Sequence, residues 1–281
     1  MAGAGSFPKI TGDIIYLLDY NSLQTTVASV KTTYYGVACS SSQVAANSEI
    51  NHIEWNNLQT DINSCIKHQT GSNTAISTKS QGETITYGDI NAYYTQTTAA
   101  DTNKASVFAS SQLSLVNPSG GSSTNSGGWN TSINHIVTVT WASSADATYF
   151  FNCGGSVTWQ ATYSGGSSVT GTKDKSWKDL IDSISLIQYT RADYLAGGTK
   201  TFGPYYAGVY TANNLTVTVV KNSDTQLTIT ILLSDASGQP NAPWGTDETV
   251  GTSITSSVGY YKSVDAIVSP FPNAVTTTNS L

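Results

Sequence analysis

The sequence predicts an α+β protein, mainly β: a small N-terminal helical module over 1–116, then an antiparallel β-sandwich over 117–281 with one short capping helix. Three observations predict it. Apolar residues in the first hundred positions recur at helical spacing, and from Ile133 onward they alternate with polar ones. Charged residues make up only 11% of the chain, with Asn, Ser, Thr and Gly in their place. Neutral hydrogen-bonding side chains suit exposed strand faces and contacts between subunits, because they carry no charge to desolvate.

The first helix is expected from Asp19 to Lys31, where Tyr20, Leu23, Val27 and Val30 form a stripe and Asp19 is available as N-cap. The second begins at Asn51, with Glu54 three residues later as the reciprocal partner of a capping box. Trp55, Leu58, Ile62 and Cys65 or Ile66 form its stripe, and Gly71 supplies a stop. A third is expected after Asp89, through Ile90, Tyr93, Tyr94 and Thr97. NPSGGSSTNSGG, residues 117–128, reads as a long polar surface loop.

Strands follow. Ile133, His135, Val137, Val139 and Trp141 share one face, and Val157, Trp159, Ala161 and Tyr163 another. Asn214–Val220 and Gln226–Leu233 alternate likewise, and the turn-rich KNSDT between them marks a hairpin. Within Ser176–Ile187, the spacing of Trp177, Leu180, Ile181 and Ile184 predicts the capping helix.

The charge pattern excludes a phosphate-tracking groove: the net charge is −6, and Arg191 is the one arginine. The opening MAGAGSFPKITGD lacks the basic and apolar segments of a signal peptide, and no apolar run is long enough to span a bilayer. Cys39, Cys65 and Cys153 are odd in number and widely spaced, so three unpaired, mostly buried thiols are expected.

G-x-S-x-G, the phosphate-cradling P-loop and H-E-x-x-H are all missing. His52, His68 and His135 lack ligand spacing, and His68 is expected to place partial positive charge at a helix C-terminus. Cys153, in YFFNCGG, reads as a small apolar residue at a strand end before a bend. Asp235, Asp247 and Glu248 lie in an oxygen-rich segment, 235–248, with two possible chemistries, glycan hydrolysis and cation binding. Against both stands a solvated loop. The expectation is therefore no enzyme, no cofactor and no metal. Tyr34–Tyr35, Tyr93–Tyr94, Tyr205–Tyr206 and Tyr260–Tyr261 each place one ring in the core and one outside if they lie on strands. Asn130 and Asn214 head N-x-[ST] triplets of the kind chance supplies in such a composition.

Three segments resemble virion structural proteins of contractile-tailed bacteriophages that infect cyanobacteria. These are DYNSLQTTVASV with the following SSSQVAANSEIN, then IEWNNLQTDINSCIKHQTG, then YFFNCGGSVTW with Ser164–Gly166 and the Trp177 helix. LTITILLSDAS and SPFP are also similar, while Cys153 and Trp159 stand where the family more usually has small or polar residues. The resemblance implies a tail, baseplate or fibre-attachment component, assembled in the host cytoplasm. Its partners would be copies of itself and other virion proteins, with no nucleic acid and no membrane insertion. Tyr20, Trp55, His68, Gln69, Tyr205 and Tyr206 are the expected interface residues. The alternatives are a fibre or adhesin module binding a host-surface glycan, and a capsid decoration protein.

Overall fold

The computed structural model describes residues 4–208, 210–236, 249–279 and 281. The chain is α+β and divides into two compact units. The first comprises residues up to Ser114 with two later segments, Thr148–Gly154 and Lys262–Pro270; the second comprises the remainder. The first boundary falls close to the expected one. The two later segments, however, return to the helical unit, which a single cut in the chain does not provide.

The helical unit is built from α1 (Leu17–Ala28), which widens into a π-helix over Ser29–Tyr34, α2 (His52–Thr70) and α3 (Tyr87–Thr102). The ring of Tyr20 meets Trp55 edge to face at 5.2 Å, and Trp55 meets Tyr93 at 5.0 Å. Farther along, Lys31 reaches Asp61, and Gln69 reaches the carbonyl of Ala100. Helix starts therefore meet helix starts and ends meet ends, so all three run the same way.

That arrangement comes from a threefold internal repeat with a period of 35 residues. The buried positions fall into four layers of three: Tyr20, Trp55 and Ile90; Leu23, Leu58 and Tyr93; Val27, Ile62 and Thr97; Val30, Cys65 and Ala100. Before each helix lies the same turn. Asp13, Ser48 and Glu83 donate backbone N–H bonds to the carbonyls of Ile10, Ala45 and Ser80. The positive-φ residue in each turn is Gly12, Asn47 or Gly82. Ile15, Ile50 and Ile85 precede the N-caps Tyr16, Asn51 and Thr86 and are placed to staple onto the first core layer. Asp19, Glu54 and Asp89 each accept the backbone N–H of their N-cap. Asp19 thus sits at the third helical position and is not the cap the sequence suggested; Asp89 likewise lies inside α3.

The repeats interlock through asparagine. Asn21 accepts the N–H of Val44 and donates to its carbonyl, at 2.9 and 3.0 Å. Asn56 does the same to Lys79, at 2.8 and 2.9 Å. Asn91 closes the ring on Lys9, at 2.7 Å for both bonds. Lys9 pairs with Asp19 at 2.9 Å and Lys79 with Asp89 at 2.8 Å; the middle repeat has Val44 in the lysine position. Asp61 belongs to one repeat only, and accepts from Lys31, both backbone amides of Ser40–Ser41 and the Ser41 hydroxyl. Burial raises its pKa, but these donors outweigh burial and hold the carboxyl below its ordinary value.

The chain continues through α4 (Ala109–Gln112) and β1 (Leu113–Val116). The expected loop at 117–128 holds a 3-10 turn, Ser119–Gly121, and then β2 (Ser122–Asn125), paired with a later strand. A Cβ on Gly120 or Gly121 would strike the carbonyls of Val275 and Val258, so these glycines serve a close backbone approach. Next come β3 (Ile133–Thr140), α5 (Ser144–Asn152), β4 (Ser156–Gly165), α6 (Lys173–Ser183), β5 (Ile187–Tyr189) and α7 (Arg191–Ala196). The end of the chain holds β6 (Thr199–Ala207), β7 (Tyr210–Ser223), β8 (Gln226–Ser234), β9 (Thr252–Ser263) and β10 (Ala274–Asn279).

Two antiparallel sheets result, ordered β1-β9-β4-β5, with β2 also on β9, and β10-β3-β8-β7-β6. The β7–β8 hairpin and the inward faces of β3 and β8 match the alternation: His135, Val137 and Val139 are buried, as are Leu227, Ile229, Ile231 and Leu233. YFFNCGG departs from expectation. Its aromatic residues end α5, and Gly154 at φ 81° follows the helix. Tyr34–Tyr35 and Tyr93–Tyr94 also lie on helical backbone, so the two-sided strand argument holds only for Tyr205–Tyr206 and Tyr260–Tyr261.

Candidate functional site

Four of the six expected interface residues are core. Tyr20 and Trp55 fill the first layer of the helical ring, and His68 and Gln69 are buried beneath its far end. The Gln69 amide donates to the Tyr35 hydroxyl at 3.0 Å and to the Ala100 carbonyl at 2.8 Å. His68 packs edge to face on Tyr35 at 5.1 Å, and neither ring nitrogen has a hydrogen-bond partner. Burial lowers its pKa to about 4, so it is neutral and does not complement the helix end as charge. The stripe lies on one face as its spacing predicts, but its aromatic and amide members face inward.

What the ring exposes lies at the other end. Ile10, Ile14 and Leu18 are more than half exposed, as is Ile53, the equivalent of Leu18 one repeat later; Tyr87 at the start of α3 is 46% exposed. All sit at or just before a helix start, and the three starts share one end of the bundle. No helix cap accounts for them.

The remaining chemical candidates are accounted for by their surroundings. Burial pushes the Cys65 and Cys153 thiols up to about 12 and Cys39 to about 11, far from thiolate chemistry. Asp235 is buried and pairs with Lys173 at 3.0 Å, which corrects the reading of a solvated loop at that position. Asp247 and Glu248 lie outside the described residues. Among the described residues no group of three or more His, Cys, Asp or Glu could hold a metal ion. Trp159 and His135 both reach Ser256, at 2.8 and 2.9 Å, and His135 also meets Thr277 at 3.1 Å. Ser256 and His135 are fully buried. This histidine–serine contact is a lock between the sheets, away from any surface a substrate reaches. Burial lowers the pKa of His135 to about 4.

Tyr205 and Tyr206 do reach the surface, in the sandwich. β5 and β6 are the terminal strands of their sheets, and a groove of about 430 Å³ opens beside them, with residues 183–188 along one wall and Phe202 and Tyr205 on the other. A β-bulge shapes it. Phe202 pairs with Val217 and Tyr205 with Leu215, so three steps on β6 oppose two on β7. Residues directly opposed in an antiparallel pair share a face. The extra residue therefore turns both rings to the same inner face, where Val217 and Leu215 are buried. Gly203 makes the bulge possible: its φ is +93°, and a Cβ would come within 2.8 Å of the Leu215 carbonyl. Tyr206, opposite Asn214, points the other way and is 59% exposed.

Comparison of the chain with protein-family models, with curated proteins and with solved structures found no match.

Proposed function

We propose that the chain is a structural protein of a tailed bacteriophage particle, placed at the tail, baseplate or fibre attachment, that acts by self-assembly and contacts with other virion proteins. The observation that carries this reading is the apolar end of the helical ring. Large apolar side chains gathered on one surface mark a contact site, because water leaves them at a gain of about 25 cal/mol per Å² when a partner covers them. The acids at the helix starts already accept the backbone N–H of their N-caps, so the surface offers shape and apolar area more than charge. The segments that resemble virion proteins of cyanobacterial phages include α1 and α2 of this same ring, which supports a particle as the place of assembly.

The test is light scattering on the full chain, alone and with particle proteins, together with Leu18→Glu and Ile53→Glu. Wild type should self-associate or bind a virion partner, and the double variant should lose that association by about tenfold or more in affinity while keeping its helical signal. A strictly monomeric wild type that binds no virion protein, or that degrades host polysaccharide, overturns the reading.

A further inference from the structure

We propose that the groove beside β5 and β6 is a binding site for an uncharged saccharide chain. Its construction is specific. A strand without the bulge would send Phe202 and Tyr205 to opposite faces; the bulge at Gly203 brings both rings to one rim. Aromatic faces are the surfaces against which the C–H face of a sugar ring stacks, and two rings in sequence suit consecutive sugars. The opposite wall supplies what the hydroxyl edge of a sugar needs, namely the Ser183 and Ser185 hydroxyls and the Gln188 amide, all on exposed residues.

The groove is lined without a charged side chain. The Lys200 ammonium lies over the Phe202 ring, 5.5 Å from its centroid, and is paired with Asp193 at 3.1 Å. Neutral ligands are therefore favoured over acidic ones. The volume falls in the ordinary range for small-ligand sites. An extended peptide is the competing occupant. Such a peptide adds in the plane of a sheet, along the free N–H and C=O groups of an edge strand, and has no use for two rings turned toward the gap between the sheets. β5 pairs over three residues only, which makes a short template.

The proposal stands on the sandwich and does not depend on the assembly reading, so either can fail alone. The experiment is a printed array of neutral and acidic oligosaccharides probed with the full chain, followed by calorimetry with chitotriose, cellotriose and the strongest neutral binder on the array. Tyr205→Ala should weaken binding about tenfold, Ser185→Trp should block the groove, and Tyr206→Ala, on the other face, should change affinity by less than about twofold. Added salt should leave the neutral affinity unchanged. Thermal melts of the variants separate loss of binding from loss of fold. Absence of saturable binding to every neutral glycan, binding that survives both Tyr205→Ala and Ser185→Trp, or occupation of the groove by an extended peptide from a random library would each overturn it.

Discussion

The two units bury their cores by opposite routes. The helical unit uses one 35-residue pattern three times, so each core layer takes one side chain from each helix, and each asparagine ties down a strap, the extended segment that leads into a neighbouring helix at Lys9, Val44 or Lys79. The sandwich uses two unlike sheets whose inner faces are filled strand by strand, with the His135–Ser256–Trp159 contact bridging them. A repeated design distributes its tolerance: a deviation in one repeat has two intact counterparts beside it, and Val44 in the place of Lys9 and Lys79 is such a deviation. A sandwich has no such counterparts: no second copy of a repeat stands behind the bulge at Gly203.

Acid sharpens the comparison most, because each unit holds one buried neutral histidine. The folded pKa of each, about 4, lies below the unfolded value near 6.5. Between those values the unfolded chain binds a proton that the folded chain does not. The stabilisation is thus full above pH 6.5 and is lost as pH falls toward 4, by roughly 3 kcal/mol per histidine. Denaturant titration at pH 7 and pH 4.5, followed by near-ultraviolet and helical signals, should show both units weakening. His68→Leu should remove the part belonging to the ring and cost about 1 kcal/mol or less at pH 7, since the imidazole gives up its edge contact with Tyr35 but no hydrogen bond. An unchanged acid response in His68→Leu would break the assignment.

The asparagine lock gives the next effect. Asn21→Ala, Asn56→Ala and Asn91→Ala each remove two bonds to one strap residue and should each cost about 2 kcal/mol. Near-equal costs in urea unfolding would establish the equivalence of the three repeats, and a cost confined to one of them would deny it. The smallest effect is a gain. Asn47 holds φ 67° where the other repeats have Gly12 and Gly82, so Asn47→Gly should stabilise by about 0.5 kcal/mol, read as a rise in melting temperature.

Much of the fold is legible from period alone. Strands with one buried face announce themselves by alternation, as β3, β7 and β8 did, and α2 is delimited by Asn51, Glu54 and Gly71. The repeat is harder to see. Only Ile15, Ile50 and Ile85, then Asn21, Asn56 and Asn91, then Thr25, Thr60 and Thr95 recur unchanged, while the core positions trade Tyr for Trp or Ile. Comparing the chain with itself at an offset of 35 exposes it; helical spacing does not. The groove had a readable signal too, since Gly203-Pro204 inside a strand pattern marks a bulge. What no spacing could say is that Tyr20, Trp55, His68 and Gln69 face inward. An amphipathic stripe names a buried face without telling whether the cover is another helix of the same chain or a partner. YFFNCGG is helical where its composition predicts a strand end: aromatic residues favour strands locally, and here packing keeps them in α5.

The ring also has a consequence for the order of events on the ribosome. Its first strap, at Lys9, is held by an asparagine 82 positions later in the chain. The two inner joints tie segments only 23 positions apart and can form as soon as each helix emerges. Lys9 must wait, unfastened, until α3 has been made. Within the ring, the segment made first is thus the last to be fastened, and the apolar side chains of Ile10 and Ile14 flank an unfastened segment until that moment.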